Sequence, residues 1–145
     1  GSAGLDQAIE MNSPLSLVIM MLGTNDFQSS HSNSASLSAF GSARLIDMIR
    51  KAPIEPGLPV PEILLLAPPP VGVPKCEVAA KFSGAASRSI GLADALQTMA
   101  KQQSVYFFDA GSVAHSSALD GIHLEQDQHQ LLGEAVANFV GEQIW

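Results

Sequence analysis

Three apolar runs of strand length constrain the fold of this 145-residue chain more than any other feature. They cover residues 15–22, 62–67 and 104–109, and none of them alternates between apolar and polar side chains. Continuous apolar strands are typical of parallel sheets, because helices bury both faces of such a sheet. The sequence therefore predicts a parallel sheet that is covered on two sides.

The segments between these runs have the spacing of amphipathic helices. Residues 36–51 carry apolar side chains at helical intervals, and Pro53 ends the pattern. Residues 75–103 are also helical in pattern, with Gly84 and Gly91 as candidate breaks. Each strand is thus followed by helical chain, as a right-handed crossover between parallel strands requires.

Helical patterns also flank the three runs. A short helix over residues 5–11 precedes the first run, and an amphipathic helix that begins near Leu124 follows the third. This order predicts one three-layer, doubly wound α/β domain of the flavodoxin-like kind. Three strands are few for such a sheet, and the run 15–22 is expected to need a neighbour on each side. We therefore expect residues 1–145 to be a partial domain.

Charge and composition exclude several kinds of partner. Seven basic and fourteen acidic residues give a net charge of −7, and no Lys or Arg follows Lys101, so binding to a nucleic-acid backbone is not expected. The longest apolar run is far too short to span a bilayer, so no membrane partner is expected either. The single cysteine, Cys76, permits no intrachain disulfide and leaves the compartment open.

The loop after the first run carries the first candidate functional residues. Gly23 allows a tight turn, and Asn25 can project its amide over the strand end as a hydrogen-bond donor. Asp26 is interpreted as a residue that braces this turn. The alternative for Asn25 is a structural role in an Asx-turn or a helix cap.

The loop before the last helix carries the second candidate, Asp120-Gly121-Ile122-His123. A carboxylate three residues before a histidine, on a loop bent by glycine, can accept from Nδ1 and leave Nε2 as a general base. The alternative is an ordinary Asp-Gly turn beside a surface histidine. Both candidate loops follow strand ends, which favours one shared site at that edge of the sheet.

Other polar residues carry weaker signals. Asp109 together with Asp120 and His123 is a possible metal site, but no ligand-spaced histidine pair accompanies them, and no metal or other cofactor is expected. Cys76 is interpreted as an apolar filler or an exposed thiol. None of the serines lies in a Gly-x-Ser-x-Gly elbow. Three further histidines are predicted to be solvated: His31, His115 and His129.

In order and spacing, the motifs resemble those of the SGNH (GDSL-type) hydrolases, and most closely their arylesterase/acyltransferase branch. The resemblance rests on residues 17–26, 67–70, 107–113 and 120–123, and it runs from about residue 1 to Trp145. It implies hydrolysis of small carboxylic esters, with acyl transfer to other acceptors left open.

The same resemblance assigns roles to the candidate residues. His123 becomes the general base and acid, Asp120 the carboxylate that orients it, and Asn25 a donor to the oxyanion. Substrate contacts are expected from residues that follow the strand ends on the catalytic side: Gly23, Thr24, Phe27, Pro69, Val71 and Ile122.

The chain departs from the family at the nucleophile. The family's serine lies in a Gly-Asp-Ser motif after its first strand, and a glycine after the second strand donates to the oxyanion; neither block occurs here. We therefore expect a C-terminal portion that is inactive alone and needs an N-terminal complementing chain, or a homo-oligomer, beside residues 15–22. The alternative is an inactive remnant or interaction module that associates through the open sheet edge.

Overall fold

The computed structural model describes residues 4–145, so the part of the resemblance that falls on residues 1–3 lies outside the described residues. Within the described range, three strands form one parallel sheet in the order β1-β2-β3. Their bounds are β1 Leu17–Met21, β2 Glu62–Ala67 and β3 Tyr106–Asp109. Each predicted run contains one strand, and the prediction of a parallel sheet is confirmed.

In the described part of the chain, five α-helices surround the sheet: α1 Leu5–Asn12, α2 Ala35–Arg50, α3 Ala85–Arg88, α4 Leu92–Gln103 and α5 Gln126–Gln143. The long helical pattern of residues 75–103 is divided where Gly84 and Gly91 adopt positive φ angles, as the sequence indicates. The last helix begins at Gln126, two residues later than predicted, and Leu124 packs against the core from the preceding loop.

Helices cover both faces of the sheet. On one face, α1, α2 and α4 enclose side chains such as Met20, Ile63 and Leu65. On the other face, α5 packs over β2 and β3, and the rings of Phe108 and Phe139 meet edge to face at 5.4 Å. The prediction of a three-layer α/β arrangement is therefore confirmed. Within residues 4–145, no helix combines the length and apolar character needed to cross a membrane.

The edge strand β1 is less covered than the central strand β2. Five of the six residues of β2 are buried, whereas β1 leaves Ile19 and Met21 exposed by 47% and 38%. Within the described chain, β1 pairs with β2 alone, so its other edge presents unpaired backbone groups. A cavity of about 1030 Å³ opens between the end of β1 and α2. This uncovered side of β1 is called the open edge below.

Candidate active site

Each of the three strands ends in a segment that carries candidate residues. Because the strands are parallel, their carboxyl ends lie on one rim of the sheet, where α/β folds bind ligands. A 3-10 turn, Thr24–Phe27, follows β1 and is called the Asn25 turn. Residues 68–75 follow β2 and form the crossover loop. Residues 116–124 precede α5 and form the His123 loop.

The side chains of Asp120 and His123 are in direct contact. Asp120 Oδ2 lies 2.5 Å from His123 Nδ1, and Asp120 Oδ1 accepts the backbone N–H groups of Ile122 and His123 at 2.8 and 3.0 Å. The carboxylate therefore orients the imidazole and the backbone of its own loop together. The His123 side chain is 68% exposed, so its Nε2 edge is accessible from the rim.

These contacts also fix the charge of Asp120. The hydrogen bond with the His123 side chain, followed by that from the Ile122 N–H, lowers the Asp120 pKa from 3.8 to about 2. Asp120 is consequently ionised at neutral pH. An ionised acceptor at Nδ1 favours the tautomer in which Nδ1 carries the proton and Nε2 has a free lone pair.

The crossover loop holds the His123 loop through backbone bonds. The N–H groups of Gly72 and Lys75 donate to the carbonyls of Gly121 and Asp120 at 2.8 and 3.0 Å. Gly121 has a φ of +78°, and a Cβ at this position would lie 2.3 Å from the Val73 carbonyl oxygen. Only glycine fits this approach of two backbones.

The other side of the His123 loop is tied to the start of α5. Ser117 donates its backbone N–H to the His123 carbonyl at 2.6 Å, and its hydroxyl donates to the Glu125 carboxylate. The same hydroxyl accepts the Leu119 N–H at 3.0 Å. Sequence reasoning missed Ser117 and Glu125, because a contact over eight residues through a loop leaves no periodic signal.

The Asn25 turn is shaped by two side-chain contacts. Gln28 Nε2 donates to Asn25 Oδ1 at 3.0 Å, and Ser38 Oγ donates to Asp26 Oδ2 at 2.6 Å. The latter bond confirms that Asp26 braces the turn. Gly23 has a φ of +127°, which the sharp exit from β1 requires. Asn25 is exposed and, in the described chain, forms no hydrogen bond with Asp120 or His123.

The residues expected to contact substrate divide into two groups. Gly23 and Thr24 line the large cavity beside Asn25, whereas Pro69 and Val71 line a second cavity of about 290 Å³ between the crossover loop and α4. Ile122 is half-buried against the core.

Phe27 is predicted to contact substrate, but the structure places it elsewhere. Its side chain is 0% exposed and packs inside the core under the Asn25 turn. The 3-10 turn directs this ring inward, so Phe27 supports the turn and has no surface to offer a ligand.

Asp109 does not join the Asp120–His123 pair. Its Oδ1 accepts the Gly111 N–H at 2.9 Å and caps the 3-10 turn Ala110–Ser112. Within residues 4–145, no three His, Cys, Asp or Glu side chains converge as a metal site requires. The remaining histidines and Cys76 are exposed.

Comparison with known proteins identifies the class. No protein-family model matches the chain, and no curated protein sequence matches it. Among solved structures, a carbohydrate acetylesterase from Sinorhizobium meliloti has 32% sequence identity and a TM-score of 0.91, over 97% of this chain and 67% of that chain. The inhibitor-bound aryl esterase of M. smegmatis has 30% identity and a TM-score of 0.92, over 99% of this chain and 68% of that chain.

Both solved proteins are carboxylic ester hydrolases, and this chain shares their fold. The chain belongs to the SGNH (GDSL-type) hydrolases, in the branch that contains the arylesterases. It spans about two thirds of the length of each of these two relatives.

Proposed function

We propose that this chain supplies the proton-transfer pair and one oxyanion donor for serine-dependent hydrolysis of small carboxylic esters. The observation that carries the proposal is the 2.5 Å contact between Asp120 and His123, on a loop whose backbone is bonded to the crossover loop. His123 Nε2 takes the proton of the attacking serine and returns it to the leaving alcohol. Asp120 holds the tautomer that this requires and stabilises the imidazolium.

Asn25 serves as the oxyanion donor in this proposal. Negative charge builds on the carbonyl oxygen as the serine attacks, and preorganised donors stabilise that charge. Gln28 occupies Asn25 Oδ1, so Nδ2 is the end of the amide left to donate, and Asn25 lines the large cavity. A substrate bound between the Asn25 turn and the His123 loop would meet both groups.

The nucleophilic serine, in this proposal, comes from a segment that pairs with the open edge. In residues 4–145, no serine hydroxyl hydrogen-bonds to His123, and the Ser117 hydroxyl is engaged by Glu125. The unpaired edge of β1, the exposed Ile19 and Met21, and the adjoining cavity support a strand and a loop at this position. An N-terminal complementing segment fits these features best.

The same open edge favours a second candidate, an interaction module that pairs through β1 and performs no chemistry. Exposed apolar side chains beside unpaired backbone groups are a template for a second chain, including a second copy. The two candidates differ in whether a serine reacts.

Fluorophosphonate labelling distinguishes them. We expect the native protein that contains this chain to hydrolyse p-nitrophenyl acetate and to carry the label on a serine outside residues 1–145. His123→Ala should abolish turnover, whereas the control His129→Ala, an exposed residue of α5, should leave it unchanged. Label on a serine of this chain would contradict the proposed source of the nucleophile. Absence of label and turnover, with a dimer in light scattering, would favour the interaction module.

A further inference from the structure

An asparagine can donate to an oxyanion only if the nitrogen end of its amide, Nδ2, faces the oxyanion. The two ends of the amide have nearly the same shape, but one donates two hydrogen bonds and the other accepts. With Oδ1 toward the substrate, Asn25 would repel the developing negative charge that Nδ2 would stabilise. A neighbouring group must therefore select the orientation.

Gln28 is the neighbour whose side chain contacts this amide. Its Nε2 donates to Asn25 Oδ1 at 3.0 Å, and its backbone N–H donates to the Asn25 carbonyl at 3.3 Å. A side-chain amide nitrogen can only donate, so it binds the oxygen end of Asn25 and leaves the nitrogen end for another acceptor. Gln28 is half-buried, which limits the positions that its side chain can adopt.

Arg88 holds the backbone that carries Gln28. Its guanidinium donates to the carbonyls of Phe27 at 2.6 Å, His31 at 2.8 Å and Gln28 at 3.5 Å. The planar guanidinium has five donors in a fixed arrangement, so it can hold several carbonyls of one segment at once. The Ser29 N–H adds a bond of 2.7 Å to the Lys81 carbonyl.

We propose that Gln28 is a positioning residue that sets the orientation of the Asn25 amide, and that Arg88 fixes Gln28 in place. This inference rests on the proposed function, in which Asn25 donates to the oxyanion. In this inference, Gln28 affects catalysis through Asn25 and without contacting substrate. Gln28 lies on the segment that follows the Asn25 turn.

The substitution Gln28→Glu tests the inference in the native, active protein. A carboxylate accepts and cannot donate, so it attracts Asn25 Nδ2 and turns Oδ1 toward the substrate. We expect kcat to fall toward the value of Asn25→Ala, a loss of about 10² to 10³ for one oxyanion donor, with KM little changed. Gln28→Met removes the donor without reversing the preference, so it should cause a smaller loss.

A double-mutant cycle separates positioning from general structural support. If Gln28 acts through Asn25, Gln28→Glu should cause no further loss in kcat once Asn25 is alanine. The matched control is Gln130→Glu on α5, where Gln130 Nε2 also donates a 3.0 Å bond, in this case to Glu134. That control should leave kcat unchanged.

A second set of variants tests the role of Arg88. Arg88→Ala should lower kcat in the wild-type background and not in the Asn25→Ala background. Arg50→Ala is its control, because Arg50 also donates to a backbone carbonyl, that of Gln103, where α2 and α4 end. If Arg88→Ala does not fold, the Gln28 variants still decide the inference.

The outcomes are distinguishable. If Asn25→Ala lowers kcat but Gln28→Glu does not, or if the two losses multiply independently, the positioning role of Gln28 is wrong and the proposed function stands. If Asn25→Ala leaves kcat unchanged in a folded protein, both the inference and the proposed role of Asn25 are wrong.

Discussion

The His123 loop and the Asn25 turn lie on the same rim but differ in how they are supported. The His123 loop receives backbone bonds from Gly72 and Lys75 of the crossover loop, and an internal bond joins its Ser117 N–H to the His123 carbonyl. The Asn25 turn is also internally bonded, but it follows β1, whose outer side is uncovered within the described chain. One part of the proposed site is held by hydrogen bonds within the described chain, and the other adjoins the open edge.

This difference shows that the two loops of the proposed site are held in place separately, each by its own contacts. The geometry between Asp120 and His123 is fixed by contacts inside the described chain. The position of Asn25 relative to a substrate depends in addition on what lies against β1. Variants of the two loops should therefore affect catalysis to different extents, and the following predictions start from the largest effect.

The largest effect is expected for Asp120→Asn, a substitution in the His123 loop. The neutral amide cannot hold Nδ1–H in the same way, so the wrong tautomer becomes populated, and we expect kcat to fall by up to about 10⁴ in the active protein. Steady-state kinetics with p-nitrophenyl acetate measure this loss. The control is Asp6→Asn, an exposed residue of α1, which should behave as the wild type. A folded Asp120→Asn variant with normal kcat would show that the pair is structural.

Asn25→Ala tests the part of the rim that adjoins the open edge. Loss of one oxyanion donor typically costs about 2.7 to 4 kcal/mol in the transition state, so kcat should fall more than KM rises. Asn138→Ala, an exposed substitution on α5, provides the control. A raised KM with normal kcat would instead identify Asn25 as a residue that binds substrate in the ground state.

The smallest expected effect is on stability at low pH. The folded-state pKa of Asp120, about 2, lies below its usual 3.8, so the ionised carboxylate stabilises the fold above about pH 4. This stabilisation is lost as the pH falls toward 2. Urea unfolding of wild type and Asp120→Asn should show a gap in the free energy of unfolding at pH 6 that narrows below pH 4. A gap that is the same at every pH would mean that the charge of Asp120 contributes nothing to the loop.

The sequence predicts most of the fold because its signals are local. The apolar run of β2 has the bounds of the observed strand, and Gly84 and Gly91 divide the helical chain where their positive φ angles allow. Asp120 and His123 are also predictable as a pair, because they lie only three positions apart. In each case, neighbouring residues carry the information.

The support of the site is not predictable in this way. The bond from Gly72 to Gly121 joins two backbones that are distant in the sequence, so no side-chain pattern marks it. Phe27 shows a second limit of prediction from the sequence. An aromatic residue just after a strand looks the same in the sequence whether its side chain faces a ligand or, as here, the interior. Only the direction of the turn decides between the two.

The bonds between the crossover loop and the His123 loop also bear on when the site forms during folding. Lys75 Nζ donates to the Ala118 carbonyl, a contact between residues 43 positions apart. Asp120 and His123 can meet early in an unfolded chain because they are close in sequence, but they acquire their place on the rim only after β2, α4 and β3 have docked. Long-range contacts of this kind form slowly. We therefore expect the histidine to reach its working position in one of the last steps of folding, after the sheet already exists.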